Sequence, residues 1–130
     1  MSTIRVDNFG PSAGGTTYSA RGIAKAWVNF NGTGTIAARD SENLSSLTDN
    51  GSGDYSINFS NSFNAADYAP CALSTVQAGV SNAGMVVGSR NTSATPDQTA
   101  SAVRLVCIGV SSPAEADVGQ VNASIHGDLA

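Results

Sequence analysis

Short runs of alternating apolar and polar residues, cut at roughly ten-residue intervals by Gly, Asn, Asp or Pro, constrain the fold of this chain more than any other feature. In "DYSINFS", Tyr55, Ile57 and Phe59 point one way while Ser56, Asn58 and Ser60 point the other, the pattern of a sheet with one dry face. "AWVNF" sets Ala26, Val28 and Phe30 against Trp27 and Asn29, and "VNASIHG" sets Val121, Ala123 and Ile125 against Asn122, Ser124 and His126. "VRLVCIGV" is apolar on both faces except for Arg104, which predicts a central strand between two layers or against a neighbouring subunit. No segment of a dozen residues holds a 3.6-residue period. Strands are expected over residues 4–9, 25–31, 35–40, 43–48, 54–60, 68–77, 85–90, 102–110 and 118–126. Regular strand spacing without helical patterns between the strands predicts an all-β fold, an antiparallel β-sandwich or jelly-roll-like domain of roughly seven to nine strands.

The material for its core is modest. Hydrophobic residues make up 41% of the 130, but much of that is Ala, and the aromatics are four Phe, three Tyr and one Trp. Small and β-branched side chains must therefore fill the interior, helped by an oligomeric interface. The Gly-rich stretch "GPSAGGTTYSARGIA" divides an N-terminal arm or attachment segment, residues 1–24, from a body of residues 25–130. A polar loop is expected over residues 89–101. "SPAEADV" predicts one brief helical turn over residues 112–118, with Ser112 as cap, Pro113 first and Glu115 third.

The formal net charge is -4 and the six basic residues are scattered singly, so no footprint for a phosphate backbone exists and nucleic acid is not expected as a partner. No apolar run has the length of a membrane span or a secretory leader. The two cysteines, Cys71 and Cys107, can form one disulfide, but a protein made in a reducing cytoplasm more often keeps such a pair as buried thiols, and free thiols are the favoured reading.

Several motifs invite a chemical reading. An EF-hand loop counted from Asp49 would need side-chain oxygens at Gly51 and Gly53 and a Glu at Ser60, so calcium loses to a hairpin with a type I′ turn at Asn50-Gly51. "GPSAG" matches a nucleophile elbow around Ser12, yet an elbow needs a buried strand, a helix, an acid and a histidine, and His126 is the sole histidine. "NGTGT" lacks the lysine and helix of a phosphate loop, and the sequons at Asn31 and Asn58 are expected by chance in an Asn- and Ser-rich chain. Asp40, Glu42, Asp49, Asp54, Asp67, Asp97 and Asp117 fall at expected strand ends or turns, where solvated or capping roles are usual. No catalytic, metal or cofactor site emerges from these residues, and receptor-contacting residues stay unassigned. The loop tips at residues 49–54 and 90–99 qualify by expected exposure alone.

The block "AKAWVNFNGTGTIAARDSENLSSLTDNGSGDYSINFSNSFNAADY", residues 24–68, closely resembles a module of tail-fibre and related virion proteins of bacteriophages and prophages. With the late runs "AVRLVCIGV" and "GQVNASIHGD", the likeness covers roughly residues 24–128. The resemblance implies a β-rich fibre, spike or tip domain, often trimeric, that is built into a virion and assists attachment to the host surface. Members of that family usually carry the module after a long shaft, whereas here Met1 lies close before it, which implies a short fibre, knob or head decoration docked through residues 1–24. Expected partners are other virion proteins, further copies of the chain and a host surface glycan. The competing reading is a non-catalytic carbohydrate-binding module with Tyr18, Trp27, Tyr55 and Tyr68 as stacking platforms, although a core or interface role is the plainer expectation for Trp27 and Tyr55. A depolymerase using two carboxylates ranks below both.

Overall fold

The computed structural model describes residues 8–10, 13–16, 18–19, 22–75, 85–89, 98–109 and 114–130. Its strands are β1 (Asn8–Phe9), β2 (Tyr18–Ser19), β3 (Ala26–Asn31), β4 (Ala37–Glu42), β5 (Leu44–Gly51), β6 (Asp54–Phe59), β7 (Ala69–Ser74), β8 (Met85–Ser89), β9 (Gln98–Thr99), β10 (Ala102–Gly109) and β11 (Val121–His126). Two antiparallel sheets form a β-sandwich, one ordered β5-β6-β10-β8 with the short β9 beside β10, the other ordered β4-β3-β11-β7. The described residues contain no helix. β10 is the central strand that its two-sided apolar run predicts, paired with β6 on one edge and β8 on the other.

Alternation decides which side chains meet. Tyr55, Ile57 and Phe59 of β6 and Val103, Leu105 and Cys107 of β10 face Ala26, Val28 and Phe30 of β3 and Val121, Ala123 and Ile125 of β11, and all twelve are buried. Phe63, Tyr68 and Val118 close the ends of this layer from the connecting segments. The ring of Tyr55 meets Phe30 edge-on across the two sheets at 5.2 Å, and Phe59, Phe63 and Tyr68 form a second aromatic group at 4.5 to 5.6 Å. Each large side chain sealed in this way contributes roughly 1.5–3 kcal/mol of transfer free energy. A chain with few aromatics thus buries five of them, Phe30, Tyr55, Phe59, Phe63 and Tyr68, and leaves the rest of the described interior to Val, Ile, Leu, Ala and Cys107.

The β5–β6 hairpin forms, but its tip lies two residues beyond the expected Asn50-Gly51. Gly51 pairs with Asp54, so Ser52 and Gly53 make the turn, with Gly53 in the left-handed region at φ 66°. A tertiary contact moves the tip. The Gly53 carbonyl accepts from the Cys107 amide at 2.7 Å and the Gly53 amide donates to Asp117 Oδ1 at 2.7 Å, which presses its Cα against the chain at Ala116. A Cβ placed on Gly53 would stand 2.5 Å from Ala116 N and 2.8 Å from Cys107 O.

Other expectations shift for similar reasons. The segment read as an N-terminal arm contains β2, which pairs with β1, and the polar loop contains β9, whose Gln98 pairs with Val103. The helical turn expected near Glu115 is replaced in the described residues 114–118 by extended chain, because Ala116 N donates to Cys107 O and Glu115 bridges Ile108. Its proposed cap, Ser112 and Pro113, lies outside the described residues, as do Ser12 and Asp97. Asp54 is not solvated as its strand-end position suggested. It is 3% exposed and held by a bidentate pair from Arg104, with both contacts at 2.7 Å. Asp117 likewise turns inward, whereas Asp49 does cap its turn by accepting the Gly51 amide.

Gly53→Ala is expected to destabilise the domain by about 3 kcal/mol, because it adds both a clash with rigid backbone and left-handed strain. Gly34→Ala, at φ 62° with open space around it, carries the strain alone and is expected to lose about 1 kcal/mol. Urea unfolding midpoints of the two variants measure the difference, and equal losses would refute the packing role of Gly53.

Candidate functional site

The outer face of the β4-β3-β11-β7 sheet carries the most distinctive surface among the described residues. Antiparallel pairing stacks its outward residues in rows: Glu42, Trp27, Ser124 and Cys71 form one, and Asp40, Asn29, Asn122 and Leu73 the next. The sequence alternation already places Trp27 and Asn29 opposite the core side of β3. Trp27 is 37% exposed and Leu73 69% exposed, an indole and an isobutyl group that the fold leaves in water. Trp27 is therefore not a core residue in this chain. Between these side chains lies a shallow depression of about 270 Å³ lined by Trp27, Asn29, Cys71, Leu73, Asn122 and Ser124 over the backbone of Val28 and Ala123.

The polar groups of this face are ordered by one another. A bulge in β4 makes Arg39 an extra residue between the Asn29–Asp40 and Phe30–Ala38 pairs. Its guanidinium donates to Asn29 Oδ1 and to Phe30 O, both at 3.2 Å, and to Gly119 O at 2.6 Å. The Asn29 amide in turn donates to Asn122 Oδ1, which also lies 3.4 Å from Gln120 Nε2. His126 sits at the end of the same strand, its Nδ1 3.1 Å from the Gly22 carbonyl oxygen and its Nε2 3.3 Å from Ser124 Oγ. Both ring nitrogens have partners within the chain, which is the bland role expected of an isolated imidazole.

The remaining stacking candidates do not join Trp27. Tyr55 and Tyr68 are buried, and their hydroxyls donate to the Gly32 and Ala102 carbonyl oxygens, both at 2.7 Å. Burial, reinforced by the Asp117 carboxylate 3.1 Å away, drives the Tyr55 hydroxyl well above the ordinary phenol range, and burial does the same for Tyr68. Both remain neutral structural donors. The side chain of Tyr18 lies outside the described residues.

Acidic groups are dispersed by the same topology. Asp67 and Asp128 border a second depression of about 350 Å³ together with Asn64, Ala65, Tyr68 and Gly127. Among the described residues no group of three or more His, Cys, Asp or Glu side chains could hold a metal ion. The hairpin tip at residues 49–54 is exposed at Asp49, Asn50, Gly51 and Ser52, but Gly53 and Asp54 are buried.

The cysteines occupy unlike places. Cys71 is exposed on the outer face of its sheet, and Cys107 is buried on the inner face of the other, so the two thiols are free and the sheet carrying Cys71 lies between them. Burial raises the Cys107 thiol to about 11, with the Ser74 hydroxyl acting in the opposite direction. Its thiolate is stable only above that pH, so native Cys107 is unreactive at neutral pH. A nitroaryl disulfide reagent is expected to label one thiol per native chain, at Cys71, with quenching of Trp27 fluorescence, and a second only after unfolding. Rapid labelling of both thiols in the native state would contradict the burial of Cys107.

Among the described residues no helix is long and apolar enough to cross a membrane. Comparisons of the chain with protein-family models, with curated proteins and with solved structures found no match.

Proposed function

We propose that this chain is a structural protein of a bacteriophage virion, a short tail fibre, spike, knob or head decoration, that assists attachment to the host surface without catalysing a reaction. In this reading it is made in the bacterial cytoplasm and incorporated into the particle, where its partners are other virion proteins and further copies of itself, with a trimer favoured. The reading rests on the likeness of residues 24–68 to the tail-fibre module and on how that block is used here. Its apolar alternates build β3 and β6, one strand in each layer of the sandwich, while its single indole stays on the outer face. A protein needing Trp27 only for stability would gain more by burying it, since the transfer free energy grows with the apolar area removed from water. An outward indole on a rigid sheet suits contact with something outside the chain.

β10, expected between two layers or against a neighbouring subunit, packs one face on the opposite sheet. Its inward residues Val103, Leu105 and Cys107 are sealed against the opposite sheet, and Val106 on its other face is 7% exposed within the single chain. The open face on β3, β11 and β7 is the better candidate for external contact.

Antibody labelling of purified phage particles, followed by electron microscopy, tests the proposal directly. The expected result is a signal at one fixed position on the particle and an oligomer by sedimentation equilibrium of the isolated protein. A protein that sediments as a monomer and is missing from purified particles overturns it.

A further inference from the structure

We infer that the depression between β3, β11 and β7 is a subsite for one neutral sugar unit, with the Trp27 indole as its stacking surface and the Asn122 amide as its directed hydrogen-bond donor. The inference deepens the attachment reading, on which it rests for the bacterial source of the glycan.

Four observations converge on that ligand class. The depression is lined by Trp27, Asn29, Cys71, Leu73, Asn122 and Ser124, none of them charged, so its contents need no counter-ion. Its polar groups are amides and a hydroxyl, which serve as both donors and acceptors and match the hydroxyls of a pyranose. Exposed indole and leucine beside them match the apolar C–H face of the same ring, and a volume of about 270 Å³ sits at the small end of ligand pockets, suiting a single unit rather than an extended chain.

The amides are also preset. Arg39 donates to Asn29 Oδ1, Asn29 donates to Asn122 Oδ1, and Gln120 approaches that same oxygen, so the acceptor side of Asn122 is occupied within the chain. Among the described residues its Nδ2 has no such partner, which leaves its hydrogens to serve a ligand in the depression. A donor oriented before binding loses little entropy when it is used.

Charge narrows the class further. Glu42 pairs with Trp27 and Asp40 with Asn29 on the neighbouring strand, placing two carboxylates in the rows that lead to the depression. Against the single Arg39 guanidinium on Asn29 they leave the rim net negative, which disfavours uronic and sialic acids by like-charge repulsion. A stable dimer needs roughly 800 Å² per partner, far more than one half-exposed indole and one leucine provide.

The test uses the full chain and its single Trp, whose emission reports on this face alone. Methyl glycosides of glucose, galactose, mannose and N-acetylglucosamine are titrated, with glucuronic and sialic acids as charged controls. A saturable blue shift is expected with at least one neutral sugar and none with the acids. Calorimetry is expected to show binding about tenfold weaker in Asn122→Ala, as for one lost neutral hydrogen bond, absent in Trp27→Ala and partly restored in Trp27→Phe. The midpoints of the variants fall by the packing and hydrogen bonds each loses, but all three stay folded at the assay temperature by circular dichroism, and Trp27→Phe, which keeps an aromatic ring, separates loss of the stacking surface from loss of stability. The subsite is overturned if no neutral sugar gives a saturable response, if Asn122→Ala binds as well as the parent, or if the shift depends on protein concentration without sugar and sedimentation shows a dimer. Binding that persists in a protein missing from virions removes the attachment reading and leaves the subsite standing. A virion-bound protein without a sugar response does the reverse.

Discussion

One phenol ties the sandwich together at the end where its chain connections are most demanding. Tyr55 leaves β6 with its ring against Phe30 of the opposite sheet and its hydroxyl on the Gly32 carbonyl, 3.1 Å from an Asp117 oxygen that also receives the Gly53 amide. Three separate connections, after β3, at the β5–β6 tip and before β11, therefore converge on a single buried group. Gly32 is sealed beneath that hydroxyl, where a Cβ would come within 2.6 Å of it. A buried polar network of this kind stabilises only when every member is satisfied, which explains why both glycines and the inward turn of Asp117 belong to one arrangement.

The two outer faces differ in the way that matters for function. On β5, β6 and β10 the polar side chains satisfy one another: Asn58 donates to Ser46 and Thr48, Asn50 to Ser56, and Arg104 clamps Asp54. Such a face is closed chemically even where water reaches it. On β3, β11 and β7 the amides are ordered in a chain that ends on the Asn122 amide, beside a partly exposed indole and an exposed leucine. Recognition of an external molecule belongs to the second face, because unsatisfied groups held rigidly gain free energy from a partner that satisfied ones cannot.

How much of this was legible in advance follows from the range of each interaction. The period-two pattern in "AWVNF", "DYSINFS" and "VNASIHG" is local, and each of its inward residues is buried. The doubly apolar run around Val106 announced a central strand for the same reason. The turn at Asn50-Gly51 was misplaced because local turn chemistry competes with a pull on Gly53 from Cys107 and Asp117, residues more than fifty positions away. Asp54 was misread on similar grounds: a carboxylate at a strand end is usually solvated, and only pairing of β6 with β10 brings Arg104 beside it.

The candidate site divides in the same manner. Composition and alternation alone determined an all-β chain with a dry layer and an outward Trp27, since side-chain direction along a strand needs no knowledge of neighbours. They could not supply Leu73, Cys71 or Asn122 as companions to that indole. Those three reach Trp27 only because β11 lies between β3 and β7, with Ser124 opposite both Trp27 and Cys71. Strand order and register are set by the closing of the whole core, and that is the scale at which a row of ordinary side chains becomes a surface able to hold a ligand.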